Sequence, residues 1–249
     1  YTIAGVTADS IENKIVWNDA GTIATVAKKA AVAEIYESVS AENPREVWEA
    51  EDFNATNIEA LTKGSKIKLV QDAQIQDAKV EFSKALTIDV NGNLLKSGPA
   101  TGMYINTNPS LTITDSQFPG IENVDSYTGG FAIGGVSVAD GGSRNVFMMY
   151  SNTTLTFDNV KVYTDYSDAT TLPPAIAGTN SANTKIQIKD SYLNLEAGAG
   201  SVFRGATKSN YIDLVIDKSV VNLKYSGAVR DCDGFRYCYL TVNDSQLSF

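Results

Sequence analysis

The chain has 249 residues, with 20 Lys and Arg residues against 29 Asp and Glu residues and a net charge of −9 at pH 7. This acidic balance argues against a nucleic-acid partner, which requires a basic surface, and no apolar run reaches the length of a membrane span. The sequence contains no histidine, which excludes Ser-His-Asp and Cys-His nucleophile systems and removes the commonest general base.

The N-terminal part of the chain, 1–64, differs from the rest and is predicted to form a helical capping region. Residues 20–40 are rich in Ala, Lys and Glu, which favours a helix that ends within residues 40–44. Residues 54–64 predict a shorter helix with Gly64 at its C-terminus. Because the open end of a stack of strands exposes strand edges and apolar surface, we expect one of these helices to cover it.

Five segments share one pattern, in which alternating apolar residues precede a polar pair such as Asp-Ser and a second apolar alternation follows it. They are 111–118 (LTITDSQF), 155–162 (LTFDNVKV), 186–193 (IQIKDSYL), 214–221 (LVIDKSVV) and 240–247 (LTVNDSQL). The period of two predicts half-buried strands. The apolar residues on both sides of the polar pair can face one core only if the chain turns a corner between them. Short strands joined by fixed corners form the repeat of a solenoid.

The last inward-facing residue before each corner sets the predicted register. These markers are Leu69, Ile88, Ile113, Phe157, Ile188, Ile216 and Val242. Their spacings suit three strands per repeat, except for a wider one between Ile113 and Phe157. That spacing is either two repeats or one repeat with an excursion, and the apolar segments 131–133 and 136–138 favour two. A third strand is predicted upstream of each marker. Phe203 precedes Ile216 by as many positions as Val229 precedes Val242, so Phe203 and Val229 are predicted to occupy the same position in successive repeats.

Short polar residues occupy the predicted corner, where their side chains are expected to bond the backbone N–H groups that a corner leaves free. The corner positions are Asp115, Asn159, Asp190, Lys218 and Asp244, and serine follows in four repeats, at Ser116, Ser191, Ser219 and Ser245. Lys218 breaks the column of short polar residues.

Residues 66–95, with the sequence pattern KIKLV…LTIDVNGNLL, resemble the opening coils of pectate-lyase-like right-handed parallel β-helix proteins. The later Asp-Ser repeats are similar to the middle coils of those proteins. The resemblance covers residues 50–249. It implies an all-β fold, with a right-handed parallel β-helix solenoid at 65–249 behind the N-terminal helical region at 1–64, and an extracellular or cell-surface location. Since the strand alternation continues to Phe249, we expect a piece of a longer protein or a subunit of an assembly.

Cys232 and Cys238 bracket a short loop between two strands. If the protein is exported, we expect a disulfide between them, which would contribute about 2 kcal/mol; two unlinked small residues are the alternative. Two thiols without histidine fall short of a zinc ligand set, and no metal or other cofactor is predicted.

Arg204 and Arg230 are predicted ligand-binding residues because their separation in sequence equals the local repeat length, the spacing of Ile216 and Val242. Each follows an inward residue, so both guanidinium groups should face outward, one repeat apart. Like charges at that spacing favour an anion between them, and guanidinium groups suit carboxylates and sulfates. Tyr192 and Tyr237 are predicted to be exposed rings that stack on sugars. A neutralised charge ladder and ordinary strand tyrosines are the structural alternatives.

The sequence predicts an extracellular, non-catalytic binding or structural module, similar to a bacterial surface adhesin, that recognises acidic carbohydrate or another host or cell-surface ligand. No catalytic set is recognised. One alternative is a polysaccharide lyase or glycoside hydrolase that acts on uronate polymers. The resemblance implies calcium and an Arg or Lys base for a lyase, but no run of alternating acidic residues provides the calcium site. The other alternative is a subunit that self-assembles head to tail into a surface filament.

A glycoside hydrolase would require a pair of carboxylates. Most of the candidates lie at predicted corners, where a structural role is the default. They are Asp158, Asp165, Asp168, Asp190, Asp217 and Asp231.

Overall fold

The computed structural model describes residues 12–17, 24–98, 101–134, 145–167, 175–198, 201–225 and 235–249. Within these residues the chain is mostly β-structure, with one short α-helix and two 3-10 helices, Ala50–Asp52 and Ile121–Ser126. The N-terminal elements are β1 (Asn13–Trp17), β2 (Ala24–Lys28), β3 (Ala33–Tyr36), β4 (Glu46–Trp48) and α1 (Ala55–Ala60).

Twenty described strands follow α1. In chain order they are β5 (Lys66–Leu69), β6 (Ala73–Ile75), β7 (Lys79–Phe82), β8 (Leu86–Asp89), β9 (Leu94–Ser97), β10 (Gly102–Ile105), β11 (Ser110–Thr114), β12 (Gly130–Ile133), β13 (Phe147–Met149), β14 (Thr154–Asp158), β15 (Lys161–Thr164), β16 (Ala177–Thr179), β17 (Thr184–Lys189), β18 (Tyr192–Ala197), β19 (Phe203–Gly205), β20 (Ile212–Asp217), β21 (Val220–Tyr225), β22 (Phe235–Arg236), β23 (Cys238–Asn243) and β24 (Gln246–Ser248).

The chain visits three sheets in turn, so that each complete repeat contributes one strand to each sheet. Sheet 1 contains β7, β10, β13, β16, β19 and β22; sheet 2 contains β4, β3, β5, β8, β11, β14, β17, β20 and β23; sheet 3 contains β6, β9, β12, β15, β18, β21 and β24. Strands of consecutive repeats pair in parallel. The predicted all-β class is therefore confirmed, and the sheets are parallel.

The predicted register of sheet 2 is confirmed for six of its markers, which occupy one column. Ile88, Ile113, Phe157, Ile188, Ile216 and Val242 are successive Cα partners. Leu69 is wrong by two residues, because Ile67 is the partner of Ile88.

The wide spacing between Ile113 and Phe157 is a single repeat with an excursion. The two residues are direct partners on neighbouring strands, so the interpretation as two repeats is wrong. Residues 131–133 belong to β12 of that same repeat, and residues 136–138 lie outside the described residues. Part of the extra length forms the 3-10 helix Ile121–Ser126 between β11 and β12.

Inward side chains of all three sheets form one continuous core. Phe131, Phe147 and Phe157 come from sheets 3, 1 and 2 respectively, and all three are fully buried. The ring centroid of Phe147 lies 6.1 Å from that of Phe131 and 5.9 Å from that of Phe157. Burial of each such ring stabilises the fold by about 1.5–3 kcal/mol, so the core binds the three sheets to one another.

The long helix predicted for residues 20–40 is wrong where the structure describes them, because β2 and β3 lie there. β3 pairs antiparallel with β4 and β5 and extends sheet 2 beyond its first repeat. Long-range pairing and burial override the weak helix propensity of Ala, Lys and Glu. The shorter helix predicted within residues 54–64 is confirmed as α1, and the Oδ1 atom of Asn54 accepts a hydrogen bond from the Asn57 N–H at 3.0 Å.

α1 lies against β7, the edge strand of sheet 1. Ile58 of the helix is fully buried, and the Oε1 atom of Glu59 accepts a hydrogen bond from the Glu81 N–H at 2.8 Å. Asp77 in turn accepts from the Ala55 N–H at 2.9 Å. α1 and β3 therefore cover the first edges of sheets 1 and 2, which would otherwise expose unpaired backbone groups.

A carboxylate joins the β1–β2 hairpin to this end of the fold. The Oε1 atom of Glu49 lies 2.6 Å from the Nζ atom of Lys14 and accepts from the Ala30 N–H at 2.8 Å. The hydrogen bond from Lys14, followed by the one from Ala30, holds the pKa of Glu49 below its usual range. Glu49 is therefore charged at neutral pH and anchors the hairpin.

The corner between sheets 2 and 3 has left-handed backbone in four consecutive repeats. The φ angles of Asn159, Asp190, Lys218 and Asp244 are 52°, 47°, 46° and 44°. Asn and Asp tolerate this region better than other residues with a Cβ atom, which explains the polar column. Asp115 fulfils the predicted bonding role, because its Oδ1 atom accepts from the N–H groups of Gly92 and Gln117 at 2.8 and 3.0 Å.

A ladder of serine hydroxyls runs beside this corner. The Ser191 Oγ atom accepts from the Val160 N–H at 3.1 Å, and the Ser219 Oγ atom accepts from the Ser191 N–H at 3.1 Å. The Ser245 Oγ atom accepts from the Ser219 N–H at 3.0 Å. Each hydroxyl also donates to the carbonyl two residues earlier. The serines thus satisfy buried N–H groups that the corner removes from the strand ladder.

Replacing Ser219 with alanine should destabilise the fold by about 1–3 kcal/mol, because the fully buried Ser191 N–H would lose its acceptor. Denaturant unfolding of the variant and the parent protein measures the difference. Ser209→Ala is the matched control, since Ser209 is exposed, and it should change stability by less than about 0.5 kcal/mol. Equal stability of the two variants would contradict the role of the ladder.

The alternation of apolar residues predicts that Thr156 and Gln187, each one position from an inward marker, face outward and tolerate a charge. Thr156 departs from this expectation, because it is only 8% exposed and lies between Thr112 and Gln187 in sheet 2. Gln187 is half-buried and remains the position where the sequence predicts tolerance of a charge.

Candidate functional site

Arg204 lies in a column of outward residues that runs along sheet 1. The column contains Glu81, Tyr104, Met148, Gly178, Arg204 and Arg236, each paired with the next. The preceding residue, Phe203, is fully buried. The predicted outward placement of Arg204 therefore agrees with its half-buried side chain.

The strand partner of Arg204 is Arg236, whereas the sequence predicted Arg230. Phe203 correspondingly pairs with Phe235, not with Val229, and the two rings stack with centroids 6.0 Å apart. The predicted register was wrong because it assumed a constant connection between sheets 1 and 2. Residues 206–211 separate β19 from β20, but only Tyr237 separates β22 from β23. Arg230 lies outside the described residues, so its role remains a prediction.

Arg204, Arg236 and Tyr237 form what we call the arginine cluster. The guanidinium carbon of Arg236 lies 5.4 Å from the ring centroid of Tyr237, within the range of a cation–π contact. Tyr237 is 38% exposed and has a φ of 50°. The structure thus brings together two of the predicted site residues, Arg204 and Tyr237, and adds Arg236, which the sequence analysis missed.

A cavity of about 170 Å³ opens beside Arg204 and is also lined by Asn145, Met148, Thr179 and Asn180. Its lining carries one cation and two amides, and no acidic residue of the described chain contributes to it. Gly178 leaves space for the Asn145 side chain, since a Cβ atom at Gly178 would lie 1.9 Å from the Asn145 Nδ2 atom. This polarity suits an anionic group with hydroxyl or carbonyl neighbours.

Cys238 carries a free thiol in the structure. Its Sγ atom lies 3.6 Å from the Phe203 carbonyl and 3.5 Å from the Arg236 carbonyl. Burial raises the pKa of Cys238 to about 12, so the thiol is protonated and poorly nucleophilic at neutral pH. Cys232 lies outside the described residues, and the disulfide therefore remains a prediction.

Tyr192, the remaining predicted site residue, lies apart from the arginine cluster on sheet 3. It borders a groove of about 290 Å³ that we call the tyrosine groove, lined by Val124, Asp125, Lys161, Tyr163, Thr164, Tyr192 and Asn194. One wall is the 3-10 helix Ile121–Ser126, and the floor is formed by β15 and β18. Because the wall comes from the long excursion of one repeat, the repeat pattern alone does not predict the groove.

Asp165 was a candidate for a pair of catalytic carboxylates, but it is engaged in an ion pair. Its Oδ2 atom lies 3.0 Å from the Lys96 Nζ atom, and its Oδ1 atom accepts from the Ser167 N–H at 3.1 Å. Hydrogen bonds from Ser167 and then Lys96 hold the pKa of Asp165 below its usual range. This carboxylate is thus ionised at neutral pH and unsuited to the role of a general acid. Two other candidates, Asp168 and Asp231, lie outside the described residues.

In the described part of the chain, no group of three or more Asp, Glu, Cys or His side chains is placed to hold a metal ion. None of the helices described is long and apolar enough to cross a membrane.

No protein-family model, curated protein or solved structure matches this chain. The resemblance to pectate-lyase-like proteins therefore remains a prediction.

Proposed function

We propose that the chain is a right-handed parallel β-helix that acts as an extracellular, non-catalytic binding module for acidic carbohydrate. The fold proposal is supported by three parallel sheets that the chain visits in order and by one core shared among them. Connections between parallel strands of one sheet are right-handed in nearly all proteins, which favours that hand. The extracellular location and the similarity to adhesins are supported by the sequence pattern alone.

The pairing of Arg204 with Arg236 on neighbouring strands carries the binding proposal. Neighbouring strands are about 4.8 Å apart, so two guanidinium groups project close together from one face. Guanidinium groups donate bidentate hydrogen bonds to a carboxylate or sulfate, so an acidic sugar suits this pair. The Tyr237 ring beside Arg236 and the amides near Arg204 add surfaces for a sugar ring and its hydroxyls.

Binding of acidic glycans to the Arg204→Ala/Arg236→Ala variant tests this function. The probes are oligosaccharides of polygalacturonate, alginate and chondroitin sulfate, titrated at two salt concentrations. We expect the parent protein to bind at least one probe in a salt-sensitive way. The double variant should bind it at least about tenfold more weakly, because charge-assisted hydrogen bonds are lost. The variant should keep its fold, since both side chains project outward.

The control for this experiment removes the same charge elsewhere. A Lys63→Ala/Lys189→Ala variant loses an exposed lysine that follows α1 and a half-buried one on sheet 2, and its affinity should equal that of the parent. Equal affinity of the arginine variant and the parent would overturn the proposal. Release of unsaturated uronate products, detected by ultraviolet absorbance with and without calcium, would support a polysaccharide lyase in its place.

A further inference from the structure

The tyrosine groove on sheet 3 has the features of a second ligand site, separate from the arginine cluster. We propose that it binds one neutral sugar ring, which stacks on Tyr192 and Tyr163 and donates or accepts hydrogen bonds at Asn194 and Asp125. The proposal does not depend on acidic-glycan binding at the arginine cluster, because the residues and the sheet are different.

The strand register brings the groove residues together. Tyr192 pairs with Lys161, and Asn194 pairs with Tyr163 on the neighbouring strand. These positions alternate with Val162 and Leu193, which are fully buried, so all four side chains belong to the outward face of sheet 3. Two aromatic rings and one amide are thus presented on two adjacent strands.

The wall of the groove is fixed before any ligand arrives. The Nζ atom of Lys161 donates to the Val124 and Tyr127 carbonyls at 3.2 and 2.7 Å, which joins β15 to a distant part of the sequence. The Tyr127 hydroxyl donates to the buried Asp115 carboxylate, and the Tyr127 ring packs edge-on against Phe118 with centroids 5.6 Å apart. A pre-formed wall reduces the entropy that binding must overcome.

The rings that form the floor are also held in place. The Nδ2 atom of Asn222 donates to the Tyr192 hydroxyl at 3.3 Å, and Asn222 accepts from the Ser248 hydroxyl. The Lys161 ammonium lies 5.6 Å from the Tyr163 ring centroid. Tyr192 is thus held by its hydroxyl, whereas the Lys161 ammonium covers one face of the Tyr163 ring, so we expect stacking mainly on Tyr192.

The polar groups in the groove favour a neutral ligand. Asn194 and Asp125 are exposed, and within the described residues neither side chain has a hydrogen-bond partner. The lining contains one lysine, Lys161, whose ammonium donates to two carbonyls, and one aspartate, Asp125, so its formal charges sum to zero. The groove therefore offers no net charge for an anion, in contrast to the arginine cluster. A volume of about 290 Å³ is near the lower limit of small-molecule sites, about 300 Å³, which suits one sugar unit.

Saturation-transfer NMR with glucose, galactose, mannose and N-acetylglucosamine at millimolar concentration tests the site. We expect at least one sugar to bind the parent protein, with strongest saturation on the protons of one ring face. Tyr192→Ala should weaken that binding about tenfold, as expected for the loss of one aromatic contact. Tyr192→Phe should retain it, because the ring remains. Asn194→Ala should weaken it without a change in stability.

Two further variants separate the outcomes. Tyr150→Ala removes another tyrosine that is 39% exposed but lies outside the groove, and it should bind neutral sugars as the parent does. Loss of neutral-sugar binding in the Arg204→Ala/Arg236→Ala variant, with retention in Tyr192→Ala, would assign that binding to the arginine cluster and overturn this inference alone. Absence of binding by all four sugars to the folded parent protein would also overturn it, and would leave acidic-glycan recognition standing.

Discussion

Ile188→Asp should unfold the stack around its repeat and lower the free energy of unfolding by about 4 kcal/mol. Ile188 is fully buried between Phe157 and Ile216, its partners on the neighbouring strands of sheet 2. A carboxylate there has neither water nor a cation as partner, and both adjacent repeats would share the disruption. Denaturant unfolding followed by circular dichroism measures the change.

The matched control places the same charge one residue away. Gln187→Asp adds a carboxylate to the outward face of the same strand, where the parent side chain is half-buried, and should change stability by less than about 0.5 kcal/mol. A stable Ile188→Asp variant, or a Gln187→Asp variant that unfolds, would mean that in β17 Gln187 faces the core and Ile188 faces solvent.

Gly130→Ala should be the most destabilising of the conservative substitutions discussed, with a loss of about 3 kcal/mol. Gly130 has a φ of 119°, and an added Cβ atom would lie 2.4 Å from the Lys161 carbonyl oxygen on the neighbouring strand. The methyl group therefore meets both an unfavourable backbone conformation and a backbone atom that cannot move without breaking the β12–β15 pairing. Thermal and denaturant unfolding should both record the loss.

Gly64→Ala separates these two contributions. Gly64 has a φ of 89°, but nothing lies within 4 Å of its added Cβ atom, so only the conformational cost of about 1–2 kcal/mol is expected. If the two alanine variants lose the same stability, the contact with Lys161 has no effect and the close approach of β12 to β15 is not a constraint.

The repeated strands were predictable because their determinants are local. Left-handed backbone at Asn159, Asp190 and Asp244 selects Asn or Asp, and the buried N–H groups beside the corner select serine. Both choices therefore appear at the same place in successive repeats. Lys218 has the same left-handed backbone conformation although lysine does not favour it, which shows that the surrounding strands impose the corner.

A second ladder of polar side chains, formed by asparagines, could also have been predicted from the sequence. Asn108, Asn152 and Asn183 each lie at the same position before a marker of sheet 2, and all three have positive φ. The Nδ2 atom of Asn152 donates to the Asn108 Oδ1 atom at 3.1 Å, and Asn183 donates to Asn152 at 3.0 Å. Alignment of the repeats on their markers would have revealed this corner.

The remaining features depend on contacts between distant residues and were not predictable. The segment at β3 favours a helix by composition, and only its pairing with β5 makes it a strand. Arg236 replaces Arg230 as the partner of Arg204 because one connection is shorter than the others. The tyrosine groove requires the contact of Lys161 with Val124, which no periodicity encodes.

The in-register stacking of the strands also determines how a polymeric ligand would be retained. Tyr192 and Arg204 belong to consecutive repeats but to different sheets, so a flexible glycan that reaches from one face to the other would meet both proposed sites. Its second contact is intramolecular, with an effective concentration in the millimolar range for a short flexible tether. Weak contacts on each face would then combine into a long residence time for the polymer, while single sugar units would still dissociate freely.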